Sequence, residues 1–354
     1  MPTAGEPRMS AAVTQERLAA QLLAGTPARD PVAVARRLLA VQGQDPRGAR
    51  LAIRARSTGL TAADVDRALS EQRSLLITWL NRGTLHLVCS DDYGWLHALT
   101  TPQLLTGNAR RLQQEGVTPS VAERGVQAIE RALAAEGPLT RAQLRERIAA
   151  ARVKTEGQAL VHLLMLATLR GLTVRGPMAG REHAYVLVRD WLGEPQSVER
   201  EAALAELARR YLAGHAPAGA RDLARWAGLP LRDARAGLTA ITPELRERAD
   251  GLLELARRRR KAAAEPPPRL LGAFDPLLLG WCSREEIVGA NKMLVANNGL
   301  FRPFALVRGK AVGSWRLVKG EVALEPFGRL ARDDRAALEE DARDVARYLA
   351  STPS

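Results

Sequence analysis

Two carboxamide side chains, Gln42 and Gln44, stand two residues apart with Gly43 between them, in the stretch LLAVQGQDPRGARLAIRAR from Leu38 to Arg56. In extended or tightly turned backbone, residues i and i+2 project to the same side. The two carboxamides can then converge on one small object, such as a water or a base edge. A carboxamide has no useful pKa, so the pair cannot serve as general acid or base. It can hold a water through its carbonyl oxygens and aim dipoles at a developing cation. Spacing alone leaves a second reading open, in which the glutamines mark a helix end and face solvent. Val32, Ala35, Leu38 and Leu39 make an apolar helix leading into the pair. Asp45-Pro46 is expected to stop that helix, because proline removes a donor and restricts its predecessor. A second helix is expected from about Arg47 through Arg54. Arg47, Arg50 and Arg54 recur at helical spacing and are candidates to line one face toward phosphate.

The chain has 354 residues, with 52 Lys+Arg against 39 Asp+Glu, a formal charge of +13 and a pI near 10.7. Such an excess favours a polyanionic partner, nucleic acid first. The positive charge is almost all arginine, with lysine only at 154, 261, 292, 310 and 319. Arginine suits bidentate phosphate contacts, although a GC-rich genome would produce the same bias. Cys89 and Cys282 are far apart and have no histidines at ligand spacing, so no metal site and no cofactor are expected. The opening MPTAGEPRMS lacks the apolar core of a signal peptide, and no run approaches a membrane span. A soluble protein of the cytoplasm is the expectation.

The elements that must position the pair read as α+β, mainly α: three tandem winged helix-turn-helix units followed by a small β-rich C-terminal domain. Residues 1–10 read as a disordered leader. The first unit, 11–115, has helices over Val13–Leu23 and from Asp30, then Thr61 opening AADVDRALS. SLLITWLNRGTLHLVCS follows, two β-prone runs broken by Asn81-Arg82-Gly83, a strong hairpin signal. Alternation puts Thr84 and His86 on one face of that hairpin. With Arg82 they are candidates to touch a nucleic-acid backbone or an exposed base. In the second unit, 116–192, Ser120 is expected to cap one helix and Thr140 the next, RAQLRERIAAA. Gln158 to Arg170 is placed as the recognition helix, with His162 and Met165 in the core. A wing from Arg175 to His183 offers Arg181 and His183 to a groove. The third unit, 193–262, repeats the pattern through RDLARWAGLPLRDARAGL and ends in the basic run Arg257 to Lys261, read as a solvated linker. The C-terminal domain, 263–354, has β-like runs at Leu270 to Trp281 and Pro303 to Val318, and an amphipathic helix from Asp333 to Leu349. The six tryptophans are spread out and expected mostly in cores.

AVQGQDPRGARLAIRAR resembles the signature of the winged-helix DNA glycosylases related to AlkZ and AlkX. RGTLHLV (82–88), AFDPLLLGW (273–281) and FRPFALVRGKAVGSW (301–315) look like further landmarks of that family. Together they span nearly the whole chain, and the combination is specific although each piece alone is weak. In the family a Gln-x-Gln or Gln-x-Asp motif carries catalysis. Gln42-Gly43-Gln44 is the AlkZ-like form, with glycine in place of the aliphatic residue usual at the middle position. The resemblance implies tandem winged helices curved around double-stranded DNA, and bacterial DNA repair or self-resistance. It also implies tolerance of bulky adducts and interstrand crosslinks without deep burial of the base.

The chemistry is consistent with that substrate. An N3- or N7-alkylated purine carries positive charge in its ring and leaves without a general acid. Ordinary glycoside hydrolysis uses two carboxylates, one of which protonates the leaving group. A cationic lesion removes the need for the first, leaving water positioning and electrostatic stabilisation. Gln44 is expected to orient the water and Gln42 to help hold it against the sugar. Asp45, as the neighbour of Gln44, should point elsewhere and act in helix termination. Lys154 is the first lysine, so no amine nucleophile lies near the motif, which argues for a monofunctional enzyme. Aromatic residues are 4% of the chain, too few to favour an aromatic base sandwich. The rival reading is a non-catalytic winged-helix regulator, which would dimerise on a two-fold site. A glycosylase is expected to be a monomer with strongly salt-dependent binding.

Overall fold

The computed structural model describes residues 11–180, 182–194, 198–257, 265–295 and 299–350. The expected leader, Arg181 and most of the basic run Arg257 to Lys261 lie outside these residues. Among the described residues no helix is long and apolar enough to cross a membrane.

The first part of the chain runs α1 (Ala11–Ala20), α2 (Pro31–Leu38), β1 (Val41–Gln42), α3 (Pro46–Arg54), α4 (Ala62–Ser70), β2 (Leu75–Leu80) and β3 (Thr84–Cys89). α5 (Tyr93–Thr100), α6 (Pro102–Gln114), α7 (Pro119–Glu136), α8 (Arg141–Ala150) and α9 (Ala159–Leu169) follow, then β4 (Thr173–Ala179), β5 (Glu182–Leu187) and the short α10 (Val188–Trp191). Next come α11 (Arg200–His215), α12 (Ala220–Ala227), α13 (Leu231–Ala240), β6 (Leu245–Glu247) and β7 (Leu253–Leu255). The last part has β8 (Arg269–Leu271), the short α14 (Glu285–Val288), β9 (Phe304–Val307), β10 (Lys310–Val318), β11 (Glu321–Pro326) and α15 (Arg332–Ala350). The fold is mixed α/β, with antiparallel sheets.

The two hairpins that the sequence assigns to separate units share one sheet. Its order is β1-β3-β2-β4-β5, with Ile77 of β2 paired to Arg175 of β4. A second sheet has the order β11-β10-β9-β8, and β6-β7 is a small hairpin. The period-2 alternation of β2 and β3 divides the cores. Leu76, Leu80 and Val88 face a cluster that includes Tyr211 and Trp226, while Ile77, Trp79, Leu85 and Leu87 face the cluster built with α7 and α9. Both faces are covered, so register is tightly specified: a one-residue slip would exchange every side chain between cores.

Three local expectations change. Asp45-Pro46 starts a helix rather than stopping one. α2 already ends at Leu38, where Leu39 takes a positive φ of 65°. Asp45 then caps α3, its carboxylate accepting from the Arg47 N–H, with Pro46 in the first turn. The expected recognition helix does not present a readable face. Every residue of α9 is buried or half-buried, from Ala159 to Leu169, because its composition is apolar all round. The capping box at Thr140 is formed with Gln143. Thr118, rather than Ser120, caps α7.

Candidate active site

β1 is two residues long, yet it fixes the motif. It lies antiparallel on β3, with Val41 opposite Leu87 and Gln42 opposite His86. The ladder continues through Gly43, whose N–H donates to the Leu85 carbonyl at 2.6 Å. One position further, the Gln44 side chain takes over the role of backbone. Its Oε1 accepts from the Leu85 N–H at 3.0 Å. That bond holds the Gln44 carboxamide at the end of the strand while the residue stays exposed. Gln42 is buried, at 7% exposure, and its Oε1 accepts from an Arg82 guanidinium nitrogen at 3.5 Å.

Cross-strand register aligns a polar row on the same face: Gln42 on β1, His86 on β3, Thr78 on β2. Thr84 lies two residues from His86, hence on the same face. His86 is 2% exposed, and its Nδ1–H donates to the Thr84 carbonyl at 2.9 Å. Burial, assisted by the charge of Arg82, lowers its pKa to about 3. The ring is therefore neutral at physiological pH and too weakly basic to take a proton from water. Thr78 Oγ1, Thr84 Oγ1 and both amide atoms of Asn81 are buried without a hydrogen-bond partner among the described residues. Such groups are rare in folded interiors and cluster where water or ligand completes them.

The hairpin turn carries a positive φ at Asn81 and Gly83, as the Asn-x-Gly sequence anticipates. Its tip rests on the end of α12. A Cβ at Gly228, the left-handed residue closing α12, would come within 2.7 Å of the Asn81 carbonyl. Arg82 donates to the last carbonyls of α12, 2.5 Å to Trp226 and 3.3 Å to Arg225. Arg225 and Arg284 approach closely enough to depress the Arg82 pKa, after burial. Among the described residues none of these three arginines has a carboxylate partner. Arg284 also stacks over Phe301 at 5.0 Å, and Phe301 meets Phe274 at 5.7 Å. Arg225, Arg284, Thr78 and Asn81 were not singled out from sequence. Asn81 was read only as a turn residue, and no local signal ties Arg225 or Arg284 to a motif so far upstream.

The arginines after the motif divide differently from expectation. Arg47 is exposed. Arg50 is buried and pairs with Asp66, with further bonds to the Pro46 carbonyl and His183 Nε2. Arg54 is 3% exposed and grips Asp341 through two nitrogens, Asp344 at 3.0 Å and the Leu270 carbonyl at 2.7 Å. The three arginines do not form one phosphate-facing row, because residues Gly48 to Arg54 of α3 are buried all round. Arg50 and Arg54 are interior struts. His183 is likewise buried, its pKa lowered to about 3 by burial and then by Arg50 and Arg175, so it does not project from the wing. Arg181 lies outside the described residues.

Comparison with known proteins places this geometry. The family model for AlkZ-like DNA glycosylases matches residues 35–348. The chain belongs to that family. An interstrand DNA cross-link repair glycosylase of Streptomyces sahachiroi is 28% identical over 332 residues, covering 88% of each chain. The solved structure of the S. sahachiroi DNA glycosylase AlkZ superposes with a TM-score of 0.77 at 26% identity, covering 96% of each chain. The AlkZ-like protein described here is thus an enzyme of the class that hydrolyses N-glycosyl bonds in DNA, and the regulator reading falls away.

Proposed function

We propose that this AlkZ-like protein is a monofunctional DNA glycosylase for cationic N7- and N3-alkylated purines, bulky adducts and interstrand crosslinks included. It acts as a monomer on duplex DNA in the bacterial cytoplasm, in DNA repair or self-resistance. Three helix-and-hairpin segments (11–115, 116–192 and 193–262) carry the DNA-facing surface, and the β-rich part (263–354) braces it. The carrying observation is the fixed, exposed Gln44 carboxamide beside buried Gln42 and a neutral His86, in a row without a basic or acidic catalyst.

Gln44 presents its remaining lone pair and its amide to a water at the sugar face, and Gln42 holds the water from the buried side. As the C1′–N bond breaks, the electron pair neutralises the purine ring. The water oxygen bonds to C1′ and its proton passes to solvent. Carbonyl dipoles favour the oxocarbenium-like sugar without the desolvation cost of a carboxylate. Arg82, Arg225 and Arg284 supply positive potential for the phosphates flanking the lesion, with Arg47 and Thr84 as further contacts. The cross-link name of the S. sahachiroi relative supports the extension to crosslinks.

The test is release of 7-methylguanine from a defined alkylated duplex, and unhooking of an N7-crosslinked duplex. Wild type is compared with Gln42→Ala, Gln44→Ala and the double variant at matched fold and DNA affinity. Single-turnover release is expected to fall about 100-fold or more for Gln44→Ala, the scale for losing one preorganised stabilising group. Full activity in the double variant would refute the assignment.

A further inference from the structure

A cleft of about 420 Å³ opens between α8, the residues leading into α9, and the β4–β5 hairpin, and it reaches Pro46, two residues beyond Gln44. Arg141, Arg145 and Arg175 line it, with Glu182 the one carboxylate on its lining. We propose that this cleft is a phosphodiester site, which grips one backbone phosphate of the DNA strand beside the Gln42-Gln44 edge. The inference rests on the glycosylase reading for its biological ligand, but its observations are separate.

Arg175 is preorganised. Its guanidinium lies over the Trp79 ring at 4.8 Å and the Tyr185 ring at 4.7 Å, and donates to Tyr185 Oη at 2.5 Å. Its Nε is buried without an acceptor. No carboxylate pairs with it among the described residues. A half-buried guanidinium held by two rings and a neutral phenol keeps its full charge uncompensated, which calls for an anion. Arg141 and Arg145 sit one turn apart on the exposed face of α8, and their charges likewise have no carboxylate partner among the described residues. Their neighbour Arg147 shows the contrast. It pairs with Glu136 at 2.8 Å and with Glu146, on the other side of the same helix. The helix therefore neutralises the arginine that points away from the cleft and leaves charged the two that point into it. Three guanidiniums in fork geometry against one exposed carboxylate fit a phosphate better than a carboxylate ligand, since phosphate offers acceptors in three directions.

The experiment measures binding of the full-length protein to an undamaged duplex with 5′-hydroxyl ends over a salt series. Removing one duplex phosphate contact lowers the slope of log K against log salt by about 0.9. Arg141→Gln/Arg145→Gln is expected to lower it by about 0.9, the loss of that one phosphate. Arg147→Gln, which removes a charge from the same helix outside the cleft, is expected to leave the slope unchanged. Equal slopes for wild type and the double variant, or equal losses for the double variant and Arg147→Gln, would overturn the proposal. A second arm repeats the titration on a duplex nicked with a 5′-phosphate. If the double variant loses affinity only there, the site takes a phosphomonoester end and the backbone assignment is overturned. Binding to undamaged DNA does not require base release, so failure of the catalytic reading would appear in the Gln42 and Gln44 variants and not here.

Discussion

Lowering the pH from 7 to 5 should remove a large part of the stability of the AlkZ-like fold, and the histidines are the reason. All five have their pKa lowered on folding. Burial, as the largest cause, takes His86, His183 and His215 to about 3, and lowers His97 and His162 as well. A cationic group with a depressed pKa binds its proton more readily unfolded, where the imidazole titrates near 6.5. Stability is therefore fully present above about pH 6.5 and falls as pH drops toward 3, by about 1.4 kcal/mol per unit for each group. At pH 5 each of the three costs about 2 kcal/mol, or about 6 kcal/mol together, comparable with the 5–15 kcal/mol that usually holds a domain. Urea unfolding followed by tryptophan fluorescence should show the midpoint dropping steeply between pH 7 and 5. Calorimetry in buffers of different ionisation enthalpy should show uptake of about three protons per chain on unfolding at pH 5. His86→Gln should reduce that uptake by about one proton. An unchanged midpoint, or uptake of one proton or fewer by the wild type, would refute the reasoning.

Single-turnover base release should be flat from pH 6.5 to 8, because neither carboxamide titrates there and His86 is neutral throughout. A bell-shaped profile would mean that a catalytic acid or base has been missed. Arg54→Ala should cost about 3 kcal/mol, the low end for breaking a buried pair, because Asp341 keeps Arg269 at 3.1 Å and the Leu270 N–H at 2.6 Å. DNA affinity of the folded fraction should stay within twofold, read by denaturation and by titration below the melting range. Gly43→Ala should be neutral or stabilising by about 0.5–1 kcal/mol, measured by urea midpoint, because φ there is not positive and a Cβ would meet Leu87 N and Ile77 at 3.6 and 3.7 Å, ordinary contact. Gly48→Ala should destabilise by about 1–3 kcal/mol and slow release, since its Cβ would come within 2.4 Å of the Ala273 carbonyl and push α3 from that segment.

What could be read from the sequence follows the range of the interaction that decides it. Asn81-Arg82-Gly83 between alternating runs gives the β2–β3 hairpin, because turn chemistry and alternation act within a few residues. Thr140 and Gln143 give a capping box for the same reason. Asp-Pro was ambiguous at that range. Both a stop and a start are compatible with it, and what decided was the positive φ of Leu39, which ended α2 six residues earlier and made room for β1. The same limit separates the two glutamines from the arginines that follow them. Gln42 and Gln44 owe their arrangement to a strand paired with the nearby hairpin.

Arg54 and Arg56 owe theirs to carboxylates more than two hundred residues away. Arg56 is wholly buried against Asp275, and Arg54 against Asp341. In an arginine-rich chain a guanidinium next to the Gln42-Gly43-Gln44 motif is thus no evidence of a DNA contact until its acidic partners are known. Each ion pair is expensive to desolvate and adds little net stability over an apolar pair, but it punishes misassembly, since either partner left alone is a buried charge. The struts from Arg54 to Asp341 and from Arg56 to Asp275 therefore fix where the C-terminal segment sits against the motif. Among the described residues Arg82, Arg225 and Arg284 at the hairpin tip, and Arg141, Arg145 and Arg175 in the cleft, have no carboxylate partner, so their charge remains available to a polyanion.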